Sequence, residues 1–223
     1  MAARPRALRL AVLASGRGSN LQAILDAIAT GTLDAEVAGV FSDQPEARAL
    51  QRARDAGVHA EALPATGFPS REAFDAAFFA RVDAVRPDLV VCAGYMRIIG
   101  APAVEARVGH MLNIHPSLLP AFKGLRTHRQ ALAAGVGEHG ASVHFVTPDL
   151  DGGPVLAQVR VPVLAGDDEA ALAARVLARE HPLLLAALRL LAGGRVALRE
   201  RVVHLDGAPL AQPLQLTAND GFA

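Results

Sequence analysis

Short apolar runs alternate with amphipathic stretches along most of this chain, and that alternation limits the folds open to it. Residues 8–14, 36–41, 59–63 and 89–93 are apolar runs of strand length. Between the first two, Leu21, Ile24, Leu25 and Ile28 fall at helical spacing, and residues 46–56 and 70–85 read as further helices. Ser70 stands where an N-cap belongs, and Arg86-Pro87-Asp88 makes the stop. Strands that alternate with helices through short loops form a doubly wound, mostly parallel α/β sheet. The run 89–93 is apolar throughout, as a strand covered on both faces must be. A strand at 111–115 and a short helix at 127–134 continue the pattern. Strands at 141–146 and 155–163 are joined only by 147–154, too short for a helical crossover, so antiparallel pairing is expected. A long helix over 168–191 stops at Gly193-Gly194, and a hairpin with Asp206-Gly207 at its turn follows. One domain over 1–223 is expected, with 1–7 as a flexible arm and 205–223 as a C-terminal tail.

Composition excludes several partners. With 22 basic and 22 acidic residues, the formal net charge is zero, which argues against a polyanion-binding surface while leaving room for a local phosphate pocket. Nucleic acid and membrane are therefore not expected as partners. Of the basic residues only Lys123 is lysine, a bias read as genome composition. The lone cysteine, Cys92, rules out an internal disulfide and fits a reducing cytoplasm; in an apolar run it reads as core, with a nucleophilic role as the alternative. Arg9 interrupts the apolar N-terminal segment, leaving it too short for a signal peptide, and no stretch has the length of a membrane span.

Three polar stretches carry the chemistry. The first is Met111-Leu112-Asn113-Ile114-His115-Pro116-Ser117-Leu118-Leu119-Pro120. Alternation along a strand puts Asn113 and His115 on one side, about 7 Å apart, while Pro116 ends the ladder. A core histidine beside a turn-forming asparagine is the plain alternative. The second is Ser15-Gly16-Arg17-Gly18-Ser19-Asn20, between the first strand and helix. Leu21 stands where a dinucleotide fingerprint needs its third glycine, and the P-loop ending is missing, so a nest for one phosphate monoester remains. A tight turn with Ser19 or Asn20 as N-cap is the alternative. The third is Thr147-Pro148-Asp149-Leu150-Asp151-Gly152-Gly153-Pro154, either ordinary Asp-Gly turn chemistry or a carboxylate aimed at an imidazole.

Together with Ser142-Val143-His144-Phe145-Val146, these stretches resemble the phosphoribosylglycinamide (glycinamide ribonucleotide) formyltransferases, the folate-dependent enzymes of purine biosynthesis. The resemblance runs from about Arg9 to about Asp206 and implies a Rossmann-like formyltransferase fold. It implies transfer of a formyl group from 10-formyltetrahydrofolate, a co-substrate, to the amine of phosphoribosylglycinamide. By position, Asn113, His115 and Asp151 match the family's catalytic residues. Gly18, Ser19 and Asn20 match its phosphate and ribose site, and Glu180, with Leu177 one turn before it, the glycinamide end. Arg71, Met96, Arg97, Ile98 and Ile99, with Asn113 and with Thr147, Pro148, Asp149, Leu150 and Asp151, match the folate site. The implied mechanism has Asn113 and a protonated His115 donating to the oxyanion, Asp151 holding the imidazolium, and His115 protonating the leaving N10. No metal is implied, and His144 reads as a core or supporting residue. A cytoplasmic monomer or homodimer acting on small molecules is expected.

Rivals within the superfamily are formyltetrahydrofolate deformylase, echoed by Ala121-Phe122-Lys123-Gly124, and methionyl-tRNA formyltransferase. The first carries an extra N-terminal domain and the second a C-terminal domain with basic surface; neither is expected here. An inactive folate- or phosphoribosyl-binding module is the rival from another class.

Overall fold

The computed structural model describes residues 6–223, so most of the expected N-terminal arm lies outside the described residues. The chain runs β1 (Leu8–Leu13), α1 (Ser19–Ala29), β2 (Ala35–Ser42), α2 (Arg48–Asp55), β3 (Ala60–Ala62) and α3 (Arg71–Ala84). It continues through β4 (Leu89–Cys92), α4 (Ala101–Glu105), β5 (Met111–His115), α5 (Thr127–Ala133), β6 (Glu138–Phe145) and β7 (Val155–Pro162). Then come α6 (Glu169–Ala192), β8 (Val196–Arg199), β9 (Val202–Leu205), β10 (Ala208–Pro209) and β11 (Leu214–Gln215).

Eight strands form the main sheet in the order β11-β7-β6-β5-β4-β1-β2-β3; β8, β9 and β10 form a small sheet of their own. Pairing is parallel from β3 to β5, and antiparallel at β5–β6 and β6–β7, as the short 147–154 connection requires. From β1 the chain steps outward to β2 and β3, then returns to place β4 on the other side. That reversal makes β1 and β4 the switch point, where open α/β sheets bind ligands beyond their strand ends.

Alternation along β1 explains the two layers. Leu10 and Val12 join the cluster under α1 and α6, whereas Ala11 and Leu13 join Phe74, Phe78, Phe79 and Val82 of α3 on the opposite face. Each fully buried Leu or Phe in these layers contributes about 1.5–3 kcal/mol. Cys92 lies in the α3-side layer, and burial pushes its thiol up to about 12, so the core reading holds for it.

The starts of α3 and α6 carry side-chain caps. Ser70 Oγ accepts the Ala73 N–H at 3.1 Å, and Asp168 caps α6 through the Ala171 N–H at 2.7 Å. Three features differ from the sequence expectation. Helix α4 was not expected: five residues are too few to show a period, although Gly100-Ala101-Pro102 is a helix-start signal. Strand β6 begins at Glu138, three residues early, because Gly140 allows close pairing with β7. The stretch 205–223, expected as a tail, contributes β10 and an edge strand, β11, parallel to β7.

Candidate active site

Asn113 and His115 end β5 with β6 beside them, and the register puts Asn113 opposite His144 and His115 opposite Ser142. The loop after His115 is fixed from that strand. Buried Ser142 Oγ donates to Ser117 O at 2.7 Å and accepts the Leu119 N–H at 3.0 Å; Gln158 Nε2 donates to Leu119 O at 2.9 Å. Thr127 Oγ1 donates to Pro116 O at 2.7 Å, tying down the entry to α5. Held this way, the loop turns its backbone toward the histidine. His115 Nε2 donates to Phe122 O at 3.0 Å, and the Gly124 N–H donates to Asp151 Oδ2 at 2.8 Å.

Asp151 completes the group. Its Oδ2 lies 3.5 Å from His115 Nδ1, and its Oδ1 lies 3.7 Å from His144 Nε2. The residue adopts a left-handed φ of 44°, a region that aspartate enters more readily than most residues other than glycine. A Cβ at Gly153 would sit 1.8 Å from Phe145 O, so only glycine lets the chain return against β6. His144 is buried, and burial lowers its ring to about 4, which leaves it neutral near pH 7. Its Nδ1 lies 3.0 Å from Phe145 O, and its Nε2 lies 3.1 Å from Asn113 Nδ2. The sequence offers His144 as a core or supporting residue and gives no sign of the Phe122 carbonyl or the Gly124 amide. Backbone groups have no side-chain signature; the one available signal was the glycine.

The glycine-rich loop meets the same crevice. Ser15 N–H donates to Gly94 O at 2.9 Å, while Ser15 Oγ donates to Asp43 at 2.6 Å and accepts the Met96 N–H at 2.9 Å. Gly18, with φ of 69°, is the N-cap of α1, and no side chain caps that end. The alternative in which Ser19 or Asn20 serves as cap is therefore not realised. A Cβ at Gly18 would lie 2.7 Å from the Ala49 Cβ, so α2 packs directly on the loop. The first N–H groups of α1 have no helical partner, the general condition for an anion site at a helix start. Asn20 Nδ2 instead donates to Glu180 Oε2 at 3.2 Å, and Asn20 Oδ1 is buried without a partner. Glu180 is itself buried, which raises its carboxyl above the usual range. Leu177, one turn earlier on α6, is half-buried.

The third set is spread over the β4–α4 loop, the start of α3 and the β6–β7 connection. Met96 and Ile98 are exposed, Arg97 lies over the Phe74 ring at 4.7 Å, and Ile99 packs on the α3-side layer. Arg71 opens α3 near Gly100, whose N–H donates to buried Asp75 at 2.7 Å. In the β6–β7 connection Thr147 Oγ1 donates to Asp149 O at 3.5 Å, while Pro148, Asp149 and Leu150 are exposed. Asp149 lies 3.6 Å from Arg201 of the β8–β9 turn. Among the described residues, neither Arg71, Arg97 nor Asp149 bonds to Asn113, His115 or Asp151. No group of three His, Cys, Asp or Glu side chains is gathered among them to hold a metal ion, and His139 pairs with His128 at 3.2 Å.

Known proteins share this sequence and this fold. The family model described as formyl transferase matches residues 8–188. Phosphoribosylglycinamide formyltransferase of Escherichia coli K12 is 49% identical over 203 residues, covering 91% of this chain and 96% of that protein. The solved phosphoribosylglycinamide formyltransferase of Coxiella burnetii superposes with a TM-score of 0.88 at 44% identity, over 92% of this chain and 96% of that one. Glycinamide ribonucleotide transformylase 1 of Symbiobacterium toebii gives 0.88 at 47% identity, covering 92% and 97%. With most of its length matched in sequence and in fold, this chain belongs to the formyl transferase family, in its phosphoribosylglycinamide formyltransferase branch.

Proposed function

We infer that this protein transfers the formyl group of 10-formyltetrahydrofolate to the amine of phosphoribosylglycinamide, giving the N-formyl product and tetrahydrofolate in de novo purine biosynthesis. Relatives of that name support the reading. The observation that carries the chemistry is the setting of His115, with Phe122 O at one ring nitrogen and Asp151 at the other. Both neighbours are acceptors, so a doubly protonated ring has an acceptor facing each nitrogen, hydrogen-bonded at Phe122 O and ion-paired at 3.5 Å with the carboxylate that offsets its charge. The substrate amine attacks the formyl carbon; a C–N bond forms and the carbonyl electrons move to oxygen. Asn113 and the imidazolium donate to that oxyanion. Collapse breaks the bond to N10, which takes a proton from His115, and the ring regains one from the former amine.

Binding follows the three sets of residues. Gly18, Ser19 and Asn20 take the phosphate and ribose, and Glu180 with Leu177 takes the glycinamide end. Arg71, Met96, Arg97, Ile98, Ile99 and the 147–151 stretch take the folate as co-substrate. We assign the enzyme to the cytoplasm, as a monomer or homodimer with small-molecule partners.

The test is to incubate the protein with 10-formyl-5,8-dideazafolate, with and without phosphoribosylglycinamide, and follow folate absorbance. Change that requires the amine supports transfer. Deformylation without the amine points to a hydrolase, and no change in either tube overturns the reading.

A further inference from the structure

The geometry points to His144 as the residue that sets the direction of the Asn113 amide, acting from the opposite strand as a neutral acceptor. This rests on the formyl-transfer reading and adds a positioning residue to it. Strands β5 and β6 place Asn113 and His144 directly across from each other, with Nδ2 and Nε2 3.1 Å apart. The other ring nitrogen, Nδ1, lies 3.0 Å from Phe145 O. A carbonyl only accepts, so Nδ1 holds the proton. A neutral ring has one proton, and Nε2 is therefore bare.

A bare nitrogen can meet an amide NH2 but repels an amide oxygen. The Asn113 side chain thus has one allowed orientation, with one N–H on His144 and the second left for the ligand. Without that acceptor the amide can turn over and present its oxygen, which repels an oxyanion instead of binding it. The surroundings leave no competing bond. Asp151 Oδ1 lies 3.7 Å from the same Nε2, beyond hydrogen-bond distance, and two acceptors do not bond in any case. The ring is 2% exposed, and that burial holds it neutral. Asp151 is left to His115, and His144 to Asn113. One carboxylate and one imidazole therefore orient the two donors separately.

The test uses the full chain and two independent readouts. Nitrogen-15 NMR of histidine-labelled wild type at neutral pH should show His144 protonated at Nδ1 and bare at Nε2. A ring protonated at Nε2, alone or with Nδ1, overturns the proposal. In steady-state kinetics His144→Leu should lose about 10²-fold in kcat, with both KM values within about twofold. His144→Gln returns an acceptor oxygen and should regain most of the loss. In an Asn113→Ala background His144→Leu should cost nothing further. Equal losses in both backgrounds would mean that His144 acts through packing alone, and the proposal fails. Thermal unfolding of each variant confirms that folded protein is assayed; should His144→Leu not fold, the tautomer measurement and His144→Gln still decide. Absence of transfer by wild type would sink the functional reading instead, so the two failures stay distinct.

Discussion

At the scale of single residues, Asp151 is the group on which the site's electrostatics converge. Gly124 N–H lies 2.8 Å from its Oδ2, and His115 Nδ1 lies 3.5 Å from the same oxygen. Asparagine keeps the shape and removes the charge, so Asp151→Asn should lower kcat by on the order of 10²-fold or more while both KM values stay within a few-fold, about the pattern for an interaction made in the transition state. Steady-state kinetics check this, and wild-type turnover would refute the role. Glu180 offers a second test with a pH sign. Burial raises its carboxyl above the ordinary 4.5, so the ionised form is costlier in the folded chain than in the unfolded one. Its stability contribution is full below that ordinary value and is lost as pH rises through the raised one. Glu180→Gln should therefore melt higher than wild type at pH 7, by about 2–4 °C per kcal/mol relieved, and converge with it in acid. Its KM for phosphoribosylglycinamide should rise. Side chains such as Asn113 and His115 were legible because strand alternation and Pro116 fix where they point. Phe122 O and Gly124 N were not, because any residue supplies a carbonyl and nearly any an amide.

Individual elements separate stability from activity. Gly140 lies in β6 where a Cβ would come 1.9 Å from Val159 O, so Gly140→Ala must push β6 away from β7. Overpacking of this kind costs about 1–3 kcal/mol. Ser142 and His144 follow on the same strand, so turnover should fall with stability. The cap of α6 behaves differently. Asp168→Ala removes the bond to the Ala171 N–H, worth about 1 kcal/mol, and should lower Tm by about 2–4 °C with kcat unchanged. Melting curves with kinetics on both variants check the contrast. The elements themselves were legible where their period was long or their face fully apolar; β5 falls at the residues expected. The start of β6 was hidden because Glu138, His139 and Gly140 have little intrinsic strand character and are held there by their partners in β7.

At the scale of the whole molecule, the order of strands places the ligand crevice, and the final residues brace the far edge of the sheet. Alternating strands and helices made the doubly wound half legible, and a short connection revealed the antiparallel half. The edge strand β11 was not legible, because Leu214 and Gln215 are too few to show alternation and pair only through β7. Its neighbourhood is nonetheless structural. Leu216 is buried, and Leu210, Leu214 and Phe222 pack against the core layer of α1 and α6. Arg179 of α6 donates to Asp220 at 2.9 Å and to Thr217 O at 2.7 Å. Removing residues 208–223 should therefore destabilise the protein. Losing one fully buried Leu and part of three other apolar side chains costs at least about 3 kcal/mol, or about 6–12 °C in Tm. None of these residues bonds to Asn113, His115 or Asp151, so the shortened chain, assayed below its melting range, should keep kcat within about twofold. A low Tm with normal turnover makes the segment a brace. A folded truncation with turnover lost would place the segment in the catalytic machinery, and this division between site and edge would be wrong.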